Sequence, residues 1–130
     1  MPRITAIQVG GVYRPVVDVT IRIDGNDWTL GMLVDSGADA CMLSPDLVRG
    51  LTSKSIQDLA IGQEWVVGVG GRQLAHWVPV EITYEGRQCA TRAMVGASPT
   101  PLLGREGFFE SFSICFDWAT VPPEIQIDPI

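Results

Sequence analysis

The amino-acid sequence predicts an all-β fold, a closed barrel with one or two short helices, in a single domain over residues 1–130. Fourteen glycines and nine prolines are spread along the chain, so the apolar runs between them are short. Several of these runs alternate apolar and polar residues with the period of two that half-buried strands require. No regular succession of strands and long amphipathic helices is present, which disfavours an α/β sheet.

The first hairpin has the clearest pattern. Apolar side chains occupy every second position from 17 to 23 and alternate with polar ones, which predicts a half-buried strand. Residues 24–27 favour a turn, and Trp28–Val34 predicts the returning, mostly apolar strand. This hairpin therefore places Asp35 at the end of a buried strand.

A short helix is predicted after the apolar piece Ala40–Leu43. Ser44 is typical of a helix N-cap, and the proline that follows it favours a first helical turn over Pro45–Arg49. Gly50 predicts the end of this helix. The stretch 52–63 favours no single element.

A second hairpin and the closing elements complete the prediction. Trp65–Val67 and Arg72–Tyr84 predict two strands joined by a glycine-rich tip. The later elements are a turn at 84–87, a strand at 88–95, a short helix at 106–111 and strands at 113–117 and 124–127. The tryptophans and phenylalanines are expected to fill the barrel or a subunit interface.

Composition excludes several classes of function. Nine Lys and Arg residues against fifteen Asp and Glu give a net charge of −6, and no basic stripe favours nucleic acid. The three cysteines show no zinc spacing; Cys41 and Cys115 lie in apolar stretches and are predicted to be buried in a reducing compartment. No apolar run approaches membrane-spanning length, so a cytoplasmic location without a membrane partner is expected.

Three segments carry the candidate chemistry. In Leu33–Asp39 a carboxylate follows an apolar run and is surrounded by small residues. A buried carboxylate is destabilising unless it is hydrogen-bonded or shares a proton, which favours a functional role for Asp35. A glycine-rich tip at 68–71 and the sequence Leu-Leu-Gly-Arg at 102–105 follow in order.

Together these segments resemble the retropepsin family, the single-domain homodimeric aspartic proteases of the retroviral type, from about Ile4 to about Asp117. The resemblance implies the acid-protease barrel. It also implies that Asp35 is the catalytic aspartate, that the Ser36 hydroxyl braces it, and that Gly37 lies beside the substrate backbone.

The same resemblance implies a substrate-binding surface and a structural ion pair. Glycines 68–71 match a flap that closes over a bound peptide, and Leu103-Gly104 matches a strand beside the catalytic loop. Asp39 matches an acidic residue that touches substrate main chain and pairs with Arg105. The implied substrate-binding residues are Leu33, Ala38, Asp39, Gly68, Val69, Gly70, Gly71 and Leu102.

The chain contains one Asp-Ser-Gly segment, whereas hydrolysis by this chemistry needs two carboxylates at one site. The predicted function is therefore an aspartic endopeptidase whose dyad forms across a homodimer and whose substrate is a peptide or protein, with no cofactor and no metal. The tail 120–130 alternates in the manner of an edge strand and is expected at the dimer interface.

Other interpretations stay open. Asp35 could be an ordinary turn residue, or the fold could be a catalytically silent dimeric module that binds peptide or protein partners. A cation site made by Asp35, Asp39 and Asp46 is a weaker alternative, because their spacing does not match a calcium loop.

Overall fold

A closed barrel of six strands forms the body of the protein. The computed structural model describes residues 3–68, 71–96 and 100–130. The strands are β1 (Arg3–Thr5), β2 (Ile7–Val9), β3 (Val12–Arg14), β4 (Val16–Ile23), β5 (Asn26–Val34), β6 (Cys41–Leu43), β7 (Gly62–Gly68), β8 (Gly71–Tyr84), β9 (Arg87–Val95), β10 (Leu102–Leu103), β11 (Phe112–Asp117) and β12 (Glu124–Pro129). The helices are α1 (Pro45–Leu51), α2 (Ile56–Leu59) and α3 (Phe108–Ser111).

The barrel runs β4-β5-β10-β6-β9-β8 and closes where β8 pairs back onto β4, with Ile82 opposite Ile21. β7 pairs with β8 outside this ring and makes the hairpin that projects from it. The predicted all-β barrel with short helices is therefore confirmed.

The β4–β5 hairpin follows directly from its sequence pattern. The apolar side chains at 17, 19, 21 and 23 are each at most 3% exposed. Asp24 and Gly25 both have positive φ, at 53° and 78°, which is the geometry that a tight hairpin turn needs. Burial of these side chains contributes roughly 1.5–3 kcal/mol each relative to exposure.

An aromatic cluster closes one end of the barrel. The rings of Phe108 and Phe112 have centroids 4.8 Å apart, and Tyr84 meets both edge-on. The predicted helix at 106–111 is shorter than expected, because the backbone N–H groups of Arg105 and Glu106 donate to the loop at 38–39 and Gly107 has a φ of 88°. Helical geometry begins only at Phe108.

The segment without a clear prediction contains the second helix. Ser44 caps α1 and Ser55 caps α2, each accepting from a backbone N–H of its first turn. The predicted stop at Gly50 is wrong: α1 continues to Leu51, which packs against the core, and the Thr52 N–H still donates to Val48 O.

The two chain ends meet in a separate three-stranded sheet of order β1-β12-β11. Ile125 and Ile127 of β12 are buried, and their registered neighbours on β11 are Phe116 and Ile114. The tail strand therefore lies between two strands of its own chain and is not an edge strand.

One expectation about side-chain burial is wrong. Cys115 is exposed, because it lies with Ser113 and Asp117 on the polar face of β11, opposite the apolar face. Of the four tryptophans, Trp77 is buried in the single chain, at 8% exposure, while Trp28, Trp65 and Trp118 are each at least 45% exposed, so for these three a place in a subunit interface stays a prediction. Among the described residues, no helix is long and apolar enough to cross a membrane.

Candidate active site

The loop that carries Asp35 is held by the two-residue strand β10. β10 pairs in parallel with the end of β5, where Leu102 registers with Leu33, and antiparallel with β6 on its other side. The Asp35 N–H donates to Leu103 O at 3.0 Å. Both flanks of the loop are thus hydrogen-bonded to one inserted strand, which fixes where Asp35 leaves the sheet.

Asp35 is half-buried, and its carboxylate is partly engaged. The Gly37 N–H donates to its Oδ1 at 2.8 Å, and the Ala38 N–H donates to the Asp35 carbonyl at 3.2 Å. A Cβ at Gly37 would lie 3.2 Å from Asp35 Oδ1, closer than most side-chain contacts. This tight turn keeps one carboxylate oxygen oriented, while Oδ2 has no hydrogen-bond donor among the described residues.

Ser36 is exposed at the tip of the same turn. Within the described part of the chain its hydroxyl makes no hydrogen bond. The bracing role of Ser36 stays a prediction.

The next residues of the loop are held by the segment after β10. The Arg105 guanidinium pairs with the Asp39 carboxylate, as in the ion pair that the resemblance implies. Backbone N–H groups of Arg105 and Glu106 donate to the carbonyls of Ala38 and Asp39 at 3.0 and 2.9 Å. An exposed ion pair contributes little to stability, so the backbone hydrogen bonds hold the loop more firmly than the ion pair does. We call these contacts of residues 105–106 with residues 38–39 the clamp.

The clamp requires a glycine at position 104. An ideal Cβ there would lie 2.2 Å from the Ala40 carbonyl oxygen, which is backbone and cannot move aside. The sequence Leu-Leu-Gly-Arg therefore combines a strand, a close approach and a cation in four successive residues.

The glycine-rich hairpin is partly described. Gly68 pairs with Gly71, which has a φ of 98°, while Val69 and Gly70 lie outside the described residues. Below the tip, the Arg72 guanidinium lies 4.6 Å from the centroid of the Trp65 ring. The predicted pocket-wall residues Leu33 and Leu102 are both half-buried neighbours in register beside the loop that carries Asp35.

Sequence reasoning missed a cluster next to the clamp. Arg92 of β9 makes two hydrogen bonds to the Glu106 carboxylate, at 2.9 and 3.2 Å, and lies 3.8 Å over the Trp77 ring. The hydrogen bond to Glu106 raises the pKa of Arg92. The only sequence signal was an arginine in a predicted strand and a glutamate beside Arg105, and neither indicates the pairing.

Behind the loop, Cys41 is buried, and burial raises the pKa of its thiol to about 11. This thiol is therefore protonated at neutral pH and is a packing group. Among the described residues, no three His, Cys, Asp or Glu side chains form a group that could hold a metal ion, which weighs against the cation-site alternative.

A closed β-barrel, an Asp-Ser-Gly turn at the end of a barrel strand, a short strand inserted beside it and a glycine-tipped hairpin define a retropepsin-like protein. No protein-family model matches the chain. The comparisons with individual proteins agree with the class.

The similar proteins are retroviral. The chain is 33% identical over 93 residues to the Pol polyproteins of equine infectious anemia virus strain Wyoming and isolate 1369, an alignment that covers 72% of this chain. It spans 8% of the length of these curated relatives. A solved structure, EIAV protease complexed with the inhibitor HBY-793, matches with a TM-score of 0.57 and 29% identity, over 76% of this chain and 88% of that chain.

The chain is retropepsin-like in both fold and sequence. This similarity to a protease supports a hydrolase of the protease class.

Proposed function

We propose that the protein is an aspartic endopeptidase that works as a homodimer, with Asp35 of each copy forming the dyad. The observation that carries the proposal is the placement of the Asp35-Ser36-Gly37 turn. β10 supports this turn, and the clamp after β10 fixes the residues that follow, in a chain similar to a solved protease.

The chemistry needs two carboxylates that share one proton. Two carboxyl groups in close contact do not both ionise readily, because their negative charges repel, so the pair retains a single proton over a range of pH. The ionised carboxylate removes a proton from a bound water, and the protonated one donates a hydrogen bond to the scissile carbonyl. The Oδ2 of Asp35, which accepts from no donor among the described residues, is available for such a water or for the second carboxyl group.

A second copy of the chain supplies the other carboxylate. One chain carries one Asp-Ser-Gly segment, and a two-fold axis beside Asp35 would bring two of them together. The exposed Ser36 hydroxyl then faces the partner loop. The terminal sheet that contains the 120–130 tail contributes to the interface in this proposal.

The substrate in this proposal is an extended peptide. The flap hairpin covers it from one side and the catalytic loop lies on the other, so its main chain binds in the manner of an added strand. Leu33, Leu102 and Val69 favour apolar side chains near the cleaved bond, while Gly37 and Ala38 leave room for the peptide backbone.

The direct test is Asp35→Asn. Asparagine keeps an oxygen that accepts from the Gly37 N–H but cannot ionise, so the turn is preserved and the dyad is lost. We expect cleavage of a peptide library at mildly acidic pH to fall by at least about a thousandfold. Inhibition of the unmodified protein by pepstatin, an aspartic protease inhibitor, should accompany this result.

The matched control is Asp46→Asn. The Asp46 carboxylate is 96% exposed in an ion pair with Arg49 on helix α1, and its replacement should leave cleavage unchanged. Retained cleavage in Asp35→Asn would refute the dyad. Peptide binding without cleavage by the unmodified protein at every pH would instead favour the silent binding module.

A further inference from the structure

We propose that Arg92 is a positioning residue that couples the base of the flap to the clamp on the catalytic loop. The inference concerns the site of the proposed function and rests on it for its kinetic consequence. Its structural basis is two contacts made by one side chain, to Trp77 and to Glu106, together with the charge of Glu64.

Trp77 marks the base of the flap. It lies opposite Gly62, the first residue of β7, and its carbonyl accepts from the Ile61 N–H at 2.8 Å. An ideal Cβ on Gly62 would lie 3.7 Å from the indole ring, so the start of β7 packs on this tryptophan. A change in the position of Trp77 therefore moves the root of the hairpin.

Arg92 covers Trp77 and reaches the flap by charge. Its guanidinium lies 3.8 Å from the ring centroid, in the geometry of a cation–π contact. The carboxylate of Glu64, on flap strand β7, acts on the same guanidinium and helps to raise the pKa of Arg92. Arg92 thus contacts Trp77 at the base of the flap, and its positive charge attracts the Glu64 carboxylate on β7.

The other end of Arg92 is bound to the clamp. Both Glu106 carboxylate oxygens accept from the guanidinium, a bidentate geometry that fixes orientation as well as distance. The backbone N–H of Glu106 donates to Asp39 O, and Arg105 pairs with the Asp39 side chain. Glu106 is thus one hydrogen bond from the loop that holds Asp35, and Arg92 is two.

The Arg92 side chain therefore joins directly two parts that the sheet connects through β9 and β6. Arg92 and Glu106 are each more than a third exposed, so the pair adds little to global stability. Its effect is on geometry. The planar guanidinium contacts both Trp77 and Glu106, so it fixes the orientation of the base of the flap relative to the clamp.

Amide hydrogen exchange tests the coupling without any activity. In Arg92→Met we expect faster exchange in both β7 and residues 105–107, while the barrel strands stay protected. The matched control is Arg22→Met, which removes a somewhat more exposed bidentate arginine–carboxylate pair, with Asp27, on the β4–β5 hairpin. It should change neither segment.

Two further variants separate coupling from loss of packing. Glu106→Gln keeps the shape of the side chain but not the charge, and it should also accelerate exchange in β7, which Glu106 does not reach directly. Arg92→Lys keeps a cation over Trp77 but loses the bidentate guanidinium. Compared with Arg92→Met, it should partly restore the protection of β7 from exchange, while exchange in residues 105–107 stays fast. If Glu106→Gln or Arg92→Met alters residues 105–107 and leaves β7 unchanged, the coupling is refuted.

Kinetics supply the second readout. If the protein cleaves peptides, Arg92→Met should raise KM by about three- to tenfold while kcat falls less, because flap closure contributes mainly to substrate binding. A selective loss of kcat would overturn the positioning role. If the unmodified protein cleaves nothing, the proposed function fails, and the exchange result still decides the coupling.

Discussion

At the scale of single residues, Gly104 is the glycine near the site where an added Cβ would meet its neighbours most closely. Replacement by alanine would place a Cβ 2.2 Å from the Ala40 carbonyl oxygen, which forces β10 away from the loop that carries Asp35. We expect Gly104→Ala to lower the free energy of unfolding by about 3 kcal/mol or more, at the upper end of the cost of overpacking. Urea unfolding followed by circular dichroism measures it.

Gly50→Ala is the control for this prediction. Gly50 lies inside α1, and an added Cβ would meet Trp28 at an ordinary 3.6 Å. Alanine is the better helix former, so this variant should gain up to about 1 kcal/mol. Equal stability changes in the two variants would contradict the close approach at Gly104.

A residue's position could be predicted from the sequence when the residues that determine it lie close to it in the chain. The position of Asp35 at the end of a strand was predictable, because the alternation before it and the small residues after it lie within a few positions. Arg92 and Glu106 were not, since their contact joins different elements and each residue is ordinary in its own neighbourhood. Cys115 was misassigned because an apolar stretch does not reveal which side of a strand faces the core.

At the scale of elements, predictability followed pattern length. The β4–β5 hairpin has four alternating apolar positions and a turn signal, and it forms as predicted. The β2–β3 hairpin and the helix α2 are three- and four-residue elements, too short for a periodic signal. Helix α2 packs against β8, which is distant in sequence, whereas β2 and β3 pair with each other across a two-residue turn.

A hydrogen-bonded contact between the β4–β5 turn and the α1–α2 connection gives a pH-dependent prediction. Asp24, in the turn after β4, accepts from Thr52 and Lys54 of the α1–α2 connection, each at 2.9 Å. The hydrogen bonds from Lys54 and then Thr52 lower the pKa of Asp24. A carboxyl with a lowered folded-state pKa stabilises the protein above its ordinary value of about 4, and this contribution is lost as the pH falls through the folded-state pKa.

Asp24→Asn should therefore lower the melting temperature at neutral pH, and the difference should shrink as the pH falls below about 4. Asparagine accepts the positive φ of this position, so the backbone is preserved and the change isolates the charge. Scanning calorimetry from pH 7 to strongly acidic pH measures the difference. A difference in melting temperature that grows on acidification would contradict a stabilising role of the Asp24 charge.

At the scale of the whole molecule, the terminal sheet was the least predictable feature. The sequence pattern of the tail fits a half-buried strand, but the pattern cannot say whether its neighbours belong to the same chain. In the structure β12 pairs with β1 on one side and with the six-residue β11 on the other. Among the described residues, β11 has no second partner, so its outer edge can accept another strand.

This edge provides the final prediction, that β11 pairs with β11 of a second copy in the proposed homodimer. An antiparallel edge that pairs with itself about a two-fold axis is a self-complementary interface. Apolar surface lies at its end, where Phe116 is 38% exposed and meets Trp118 edge-on at 6.2 Å. We therefore expect Phe116→Lys to raise the dimer dissociation constant by about tenfold or more, because charge at an edge opposes pairing.

Analytical ultracentrifugation across a dilution series measures this constant, and peptide cleavage is followed over the same series. Because a dyad needs both copies, specific activity in Phe116→Lys should fall at dilutions where the unmodified protein still cleaves, and it should recover at high protein concentration. Val12→Lys is the matched control, since Val12 is 55% exposed on β3 of the separate β2–β3 hairpin and its replacement should leave both measurements unchanged. A variant at Phe116 that dimerises like the unmodified protein would place the interface elsewhere, and cleavage by a strict monomer would remove the need for a second Asp35 altogether.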